Sequence, residues 1–154
     1  MSHFQQHLTI NATPAAVYAA LTTPAGLRAW WTEDCDVSTE LGGTIQFRFG
    51  PNVKNMRIEK LEPSREVRWY CTHAHMVAKH LARSDEWVGT DIVFRLTPDG
   101  EGRTRVHFEH IGLVPAFECY ELCRNGWQYF MLSLQQYAET GRGTPYPLDE
   151  AVAA

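Results

Sequence analysis

A chain of 154 residues, 44% hydrophobic and 21% charged, has the size and balance of one globular domain with a core of its own. Fourteen Lys and Arg against eighteen Asp and Glu leave a formal net charge of −4, and no basic cluster interleaves with aromatic residues, which argues against nucleic acid as a partner. The longest nearly apolar stretch, Pro14 to Leu21, is far short of a membrane span, so no membrane partner is expected.

The amino terminus, MSHFQQHLTI, shows no cationic segment followed by an apolar run. Four cysteines (Cys35, Cys71, Cys119, Cys123) lack CxxC or paired-knuckle spacing. Both features point to a cytoplasmic protein with reduced thiols.

Phe4, Leu8 and Ile10 against Gln5 and His7 alternate loosely, which predicts a strand over residues 4 to 10. Thr13-Pro14 then supplies an N-cap and a first helical position for a short helix carrying Val17, Tyr18 and Leu21. Thr23-Pro24 repeats the device and opens a second short helix through Leu27 to Trp31. From Cys35 the period becomes two: Ile45, Phe47 and Phe49, then Met56 and Ile58, then Val67, Trp69 and Cys71. Turns fall at Gly42-Gly43, Gly50-Pro51-Asn52 and Pro63-Ser64. His73 to Ser84 breaks the alternation and reads as a long loop or a local helical turn. Thr90, Ile92, Phe94 and Leu96 pair with Thr104, Val106, Phe108 and His110 across a hairpin turn at Pro98 to Gly102.

Ala116, Tyr120, Cys123, Trp127, Phe130, Leu134 and Tyr137 recur at steps of four and three, one stripe along a long helix from Pro115 to Gly141. Pro115 suits the first turn and Gly141 the C′ position, for a length on the order of 38 Å at ~1.5 Å per residue. The whole order predicts an α+β fold: an antiparallel sheet of six or seven strands, two short helices, and the long helix across the concave face. Residues 1–141 form one domain, and the tail 142–154, rich in small residues and Pro, is expected to be loosely held. Gly126 costs roughly 1 kcal/mol against Ala in a helix interior, which calls for a close backbone approach near Trp30 and Trp31 or a small bend.

Several stretches resemble a known family: the Pro-led helix with its Trp-Trp (Ala15 to Trp31), Gly-Gly into an aromatic strand (Gly42 to Phe49), EPSREVRW (Glu62 to Trp69), the strands from Asp91 to Glu109, and GWQYFMLSLQQYAETGRGTPYP from Gly126 to Pro147. They are similar to the activator of heat-shock-protein-ninety ATPase homologue-like family, within the START-like or SRPBCC group that shares the helix-grip fold of the birch pollen allergen. The resemblance implies a curved antiparallel sheet gripping the last helix, with a cavity between them that often holds an apolar ligand. It implies no single activity. HAHMVAKH, from His73 to His80, is longer and more His-rich than the family pattern.

By parity the covered face carries Ile45, Phe47, Phe49, Met56, Ile58, Val67, Trp69, Phe94, Val106 and Phe108, facing Trp127, Phe130, Met131 and Leu134 of the helix. A filled core is the ordinary fate of such residues. The functional alternative is a partly empty apolar pocket. Its expected ligand contacts are Phe47, Ile58, Trp69, Cys71, Phe94, Phe108, His110, Tyr120, Cys123, Trp127, Phe130 and Met131. Lys60, Cys71, Thr90, Thr104 and His110 are the polar residues that parity places on the same face. His110 can titrate near neutral pH, yet it ends its strand, which favours a surface position over an acid–base role.

His73, His75 and His80 lack a standard zinc spacing and are expected in a solvated loop. Cys119 and Cys123, one turn apart, read as small buried thiols. Asp34/Asp36 and Asp85/Glu86 read as solvated loop charges, and Ser133 sits mid-helix without a nucleophile-elbow pattern. No catalytic residue, metal or cofactor is assigned, and nothing demands an enzyme.

Three functions fit these residues. The favoured one is a binding domain for a small apolar or aromatic molecule. The second is a cyclase, dehydratase or hydrolase acting on aromatic or polyketide-like compounds in the same cavity, which needs at least two converging polar groups. The third, implied by the family, is a chaperone-partner domain. A homodimer is compatible with all three.

Overall fold

The computed structural model describes residues 3–78 and 81–147. Seven strands form one antiparallel sheet: β1 (Phe4–Ile10), β2 (Cys35–Asp36), β3 (Thr44–Phe49), β4 (Asn52–Glu62), β5 (Glu66–His75), β6 (Asp91–Pro98) and β7 (Thr104–Ile111). Their order is β1-β7-β6-β5-β4-β3-β2, so every connection from β2 to β7 joins neighbours, and β1 closes on the last strand. The helices are α1 (Pro14–Thr22), α2 (Pro24–Trp30) and α3 (Tyr120–Thr140).

The two Thr-Pro pairs start their helices as their chemistry dictates. Thr13 Oγ1 accepts the Ala16 N–H at 3.2 Å, and Thr23 Oγ1 accepts the Gly26 N–H at 3.0 Å. The indole N–H of Trp30 donates to the Ala20 carbonyl at 2.8 Å and locks the two helices into a corner.

Period-two burial runs through the strands. Ile45, Phe47 and Phe49 point inward from β3, Trp69 from β5, Phe94 from β6, and Val106 and Phe108 from β7. Two register shifts interrupt β4 and β5, between Asn55 and Met56 and between Ile58 and Lys60. The second turns Lys60 outward, where it meets Glu62 and Glu66 at 3.4 Å each. Lys60 is therefore a surface residue, against the parity reading. The inward lysine of β4 is Lys54, two places before Met56 and four before Ile58.

Helix α3 begins at Tyr120, five residues later than Pro115, and is about 32 Å long at ~1.5 Å per residue. Residues 115 to 119 form tight turns instead, and Ala116 is exposed. A tertiary contact sets the start. Glu86, from the loop before β6, accepts the backbone N–H of Glu118 at 3.0 Å and of Cys119 at 3.1 Å. A buried carboxylate thus satisfies donors at the helix entrance, where negative charge is favoured. Glu86 is a helix anchor and not the solvated loop charge its neighbours suggested. The far end follows the sequence signal: Gly141 adopts φ +85°, and its N–H bonds the Tyr137 carbonyl at 2.8 Å.

The segment after α3, expected to be a loosely held tail from residue 142, hydrogen-bonds back to the rest of the chain as far as Tyr146. Thr144 N donates to Ser133 Oγ, which in turn donates to the Trp30 carbonyl, both at 2.7 Å. Tyr146 N reaches the Trp31 carbonyl at 2.8 Å, and Glu33 N reaches the Tyr146 carbonyl at 2.9 Å. Gly143 lies so close to the Ala29 carbonyl that a Cβ there would collide with it. These bonds make residues 142–147 a strap joining α2 to α3. The remainder of the tail, 148–154, lies outside the described residues.

Among the described residues no helix is long and apolar enough to cross a membrane.

Candidate functional site

Most of the gap between sheet and helix is solid aromatic packing. Trp31 stacks on Trp30 (5.6 Å between ring centroids) and on Trp69 (6.0 Å), while Phe94 meets Trp69 at 5.4 Å and Phe108 at 5.1 Å. Phe108 closes on Trp127 at 4.5 Å. Phe47, Ile58, Trp69, Cys71, Phe94, Phe108 and Met131 are all buried in this mass. None of them lines the cavity described below. Ile58 and Trp69 border only a void of about 10 Å³, room for one water at most.

His110 is also interior, with no exposed surface, which corrects the surface position inferred from its place at the strand end. Trp127 Nε1–H donates to His110 Nδ1 at 3.0 Å, which makes Nδ1 the acceptor and puts the ring proton on Nε2. Nε2–H then donates to Thr90 Oγ1 at 2.8 Å, and Thr90 passes its own proton to the Trp87 carbonyl at 2.6 Å. Every polar atom of the chain Trp127–His110–Thr90–Trp87 has its partner. Burial, with help from the charge of Lys54 and then His3, pushes the His110 pKa down to about 3. The imidazole stays neutral and serves as a clip between α3 and the sheet.

The open space lies at one end of the gap. A cavity of about 350 Å³ is walled by Phe49, Pro51, Asn52 and Lys54 of the β3–β4 hairpin, and by Met76 and Trp87 of the segment between β5 and β6. Leu122, Cys123, Gly126, Trp127 and Phe130 of α3 form the opposite wall, with Trp31 and Tyr146 at the back. That volume falls within the range of small-molecule pockets. Its exposed members, Pro51 and Leu122, mark the mouth.

Of the twelve residues singled out from sequence, the structure brings Cys123, Trp127 and Phe130 to this cavity. Tyr120 lies elsewhere, half-buried in a separate and more polar pocket of about 390 Å³ with Phe117, Glu121 and Arg124. Lys54, Trp87, Met76 and Tyr146 escaped sequence reasoning. Lys54 was the most legible of them, since it shares strand parity with Met56 and Ile58. Trp87 and Met76 lie on either side of residues 79–80 in an irregular segment with no period to follow. That segment begins in the His-rich stretch. His73 and His75 end β5, and His80 lies outside the described residues.

The chemistry of the cavity centres on one indole. Lys54 Nζ stands 4.1 Å from the Trp87 ring centroid and 4.6 Å from that of Phe49. The same indole donates Nε1–H to Cys123 Sγ at 3.1 Å. Lys54 is 9% exposed, and among the described residues it has no carboxylate partner. Burial lowers its pKa, an effect partly offset by the thiols of Cys123, Cys119 and Cys71. The thiols of Cys119 and Cys123 sit one helical turn apart and influence each other's titration. The Cys119 pKa is raised by its interaction with Cys123 and by burial. The Cys123 pKa is lowered first by the same interaction, then by Lys54 and Trp87, against the opposing pull of burial and Glu86.

Gly126 presents no close backbone approach: a Cβ built there meets nothing within 4 Å. Its missing side chain faces the cavity. Gly126→Ala therefore raises stability by about 0.5–1 kcal/mol, measurable as an increased urea midpoint. Gly126→Phe should fill the space and block any occupant.

Sheet, gripped helix and end cavity place the chain in the helix-grip class. It belongs to the Activator of Hsp90 ATPase homolog 1-like family, whose model matches residues 11–139. The solution structure of the Aha1 dimer from Colwellia psychrerythraea is 32% identical to it, covering 93% of this chain and 100% of that one, with a TM-score of 0.76. The protein MLL2253 from Mesorhizobium loti is 21% identical and covers 86% of this chain and 95% of its own, at a TM-score of 0.68. DynU16, a protein in the dynemicin biosynthetic locus, is 17% identical over 90% of this chain and 48% of its own, at a TM-score of 0.67. The last two likenesses are of fold alone. No curated protein matches the sequence.

Proposed function

We propose that this chain binds a small, largely apolar or aromatic molecule carrying an anionic group in the cavity beside Lys54. The observation that carries the reading is Lys54 itself. A buried ammonium with no carboxylate partner among the described residues is costly. Aromatic faces offset part of that cost, and an anion would offset much more. The remaining walls are apolar enough to remove a flat ring system from water. Because burial lowers the Lys54 pKa, an incoming anion favours its charged form, and binding takes up protons wherever Lys54 is partly neutral.

The test is a thermal-shift series with 2-naphthoate against neutral 2-methylnaphthalene. A ligand that binds only the folded state raises the melting temperature with concentration. Naphthoate should do so at micromolar affinity, on the order of −8 kcal/mol. Equal or absent shifts for the two compounds overturn the role of Lys54. Native mass spectrometry of freshly purified protein reads any retained ligand and the subunit count together.

A chaperone-partner role is the second reading. It is favoured by 32% identity to a protein described as Aha1. Adding the chain to a purified Hsp90 and measuring its ATPase rate decides it: stimulation supports this reading, and an unchanged rate removes it.

A further inference from the structure

We propose that Cys123 is the nucleophile of this cavity, forming a covalent bond with α,β-unsaturated carbonyl compounds that bear an apolar or aromatic body. The inference rests on the cavity as a binding site and adds a reaction to it. Four observations converge on the sulfur. Cys123 Sγ reaches the cavity surface from the first turn of α3, where the helix dipole favours negative charge. Trp87 Nε1–H is 3.1 Å away and can only donate. Cys119, one turn earlier, is a neighbouring thiol whose interaction favours the thiolate of Cys123. Lys54, nine-tenths buried, faces Cys123 from the opposite wall of the same cavity, its Nζ seated on the indole whose N–H points at the sulfur.

Among the described residues Glu86 is the opposing charge, and its two oxygens are engaged by the backbone N–H groups of Glu118 and Cys119. Of the other thiols, Cys35 and Cys71 have pKa values raised, chiefly by burial, and neither Cys35, Cys71 nor Cys119 lines the cavity.

In the step inferred, a lone pair of the Cys123 thiolate forms the S–C bond to the β-carbon of the enone. The C=C π pair moves toward the carbonyl, and its oxygen takes the negative charge opposite the Lys54 ammonium. The α-carbon then receives a proton from Lys54 Nζ or water, giving a thioether and an intact carbonyl. Thiol and enone combine without oxidant or reductant. The same polarised wall that holds an anion thus meets charge as it develops on an enolate oxygen.

The experiment is alkylation of the folded chain by N-phenylmaleimide, followed by intact-mass and peptide mass spectrometry. One adduct on Cys123 is expected well ahead of Cys35, Cys71 and Cys119, at a rate less steep in pH between about 6.5 and about 8.5 than that of an ordinary thiol, which gains about tenfold per unit below its pKa. Lys54→Met should restore the ordinary pH slope and slow the reaction at neutral pH by about tenfold or more, and Lys54→Arg should recover part of the loss. Cys123→Ser should take up no early adduct. An ordinary pH slope at Cys123, or labelling of all four thiols together, overturns the proposal. If Cys123 is inert while 2-naphthoate still raises the melting temperature, the nucleophile fails and the binding site stands. If neither reagent acts, both readings fall.

Discussion

Lys54→Met is expected to make the protein more stable and at the same time less able to bind. Methionine keeps the length of the side chain against Trp87 and Phe49 and removes a buried charge without a carboxylate partner among the described residues. Relief of that desolvation should raise unfolding free energy by about 1–3 kcal/mol. The same substitution removes the charge-assisted contact to the ligand, worth about 1.5–3 kcal/mol, so affinity for 2-naphthoate should fall by about 10- to 100-fold. Binding of 2-methylnaphthalene should change little. Urea unfolding and isothermal titration on the one variant separate the two effects. A site kept for stability alone would show the opposite sign in the first measurement.

The second large effect is acid sensitivity set by His110. Its folded pKa lies at about 3, against an unfolded value near 6.5. Below about pH 6.5 the unfolded chain binds a proton that the folded chain refuses, so stability is greatest above the unfolded value and declines as pH falls toward the folded one. The slope is about 1.4 kcal/mol per pH unit over that window, or about 2–3 kcal/mol between pH 6.5 and 4.5. His110→Gln should weaken the protein at neutral pH, since it disturbs the bonds to Trp127 and Thr90, yet flatten its pH dependence by that amount. Carboxylates that titrate in the same range, such as Glu109 with its pKa lowered by His3, His107 and Arg95 against burial, are common to both proteins and cancel in the difference. Equal slopes for the two would mean that His110 is protonated in the folded state.

These two residues also mark the limits of what could be read from sequence. The fold was legible because its signals are local: Thr-Pro caps, period-two strands, hairpin turns, a helical stripe and the Gly141 stop. The start of α3 was not, since it depends on Glu86 from 32 residues before Glu118. Strand parity survived until a bulge reversed it, which sent Lys60 out. The same counting, carried back to Lys54, would have found the one inward lysine of the strand.

Whether the face beneath a helix is full or hollow depends on how tightly large rings interlock, and composition does not encode that. Trp30, Trp31, Trp69 and Trp127 fill the middle of the gap, while Gly126 and the irregular segment carrying Met76 and Trp87 leave its end open. The strap from Arg142 to Pro147 looked like a tail because its hydrogen bonds run to α2 and α3, distant in sequence and without any pattern of their own.

The indole N–H resonances test the central claim most directly. Trp31, Trp87 and Trp127 border the cavity, whereas Trp30 and Trp69 are buried in the filled core beside it. Titrating 2-naphthoate into ¹⁵N-labelled protein should move the Trp87, Trp127 and Trp31 cross-peaks in a saturable way and leave those of Trp30 and Trp69 in place. Lys54→Met should suppress the movement at the same ligand concentration. Five stationary indoles, or shifts confined to surface residues outside the cavity, would contradict it.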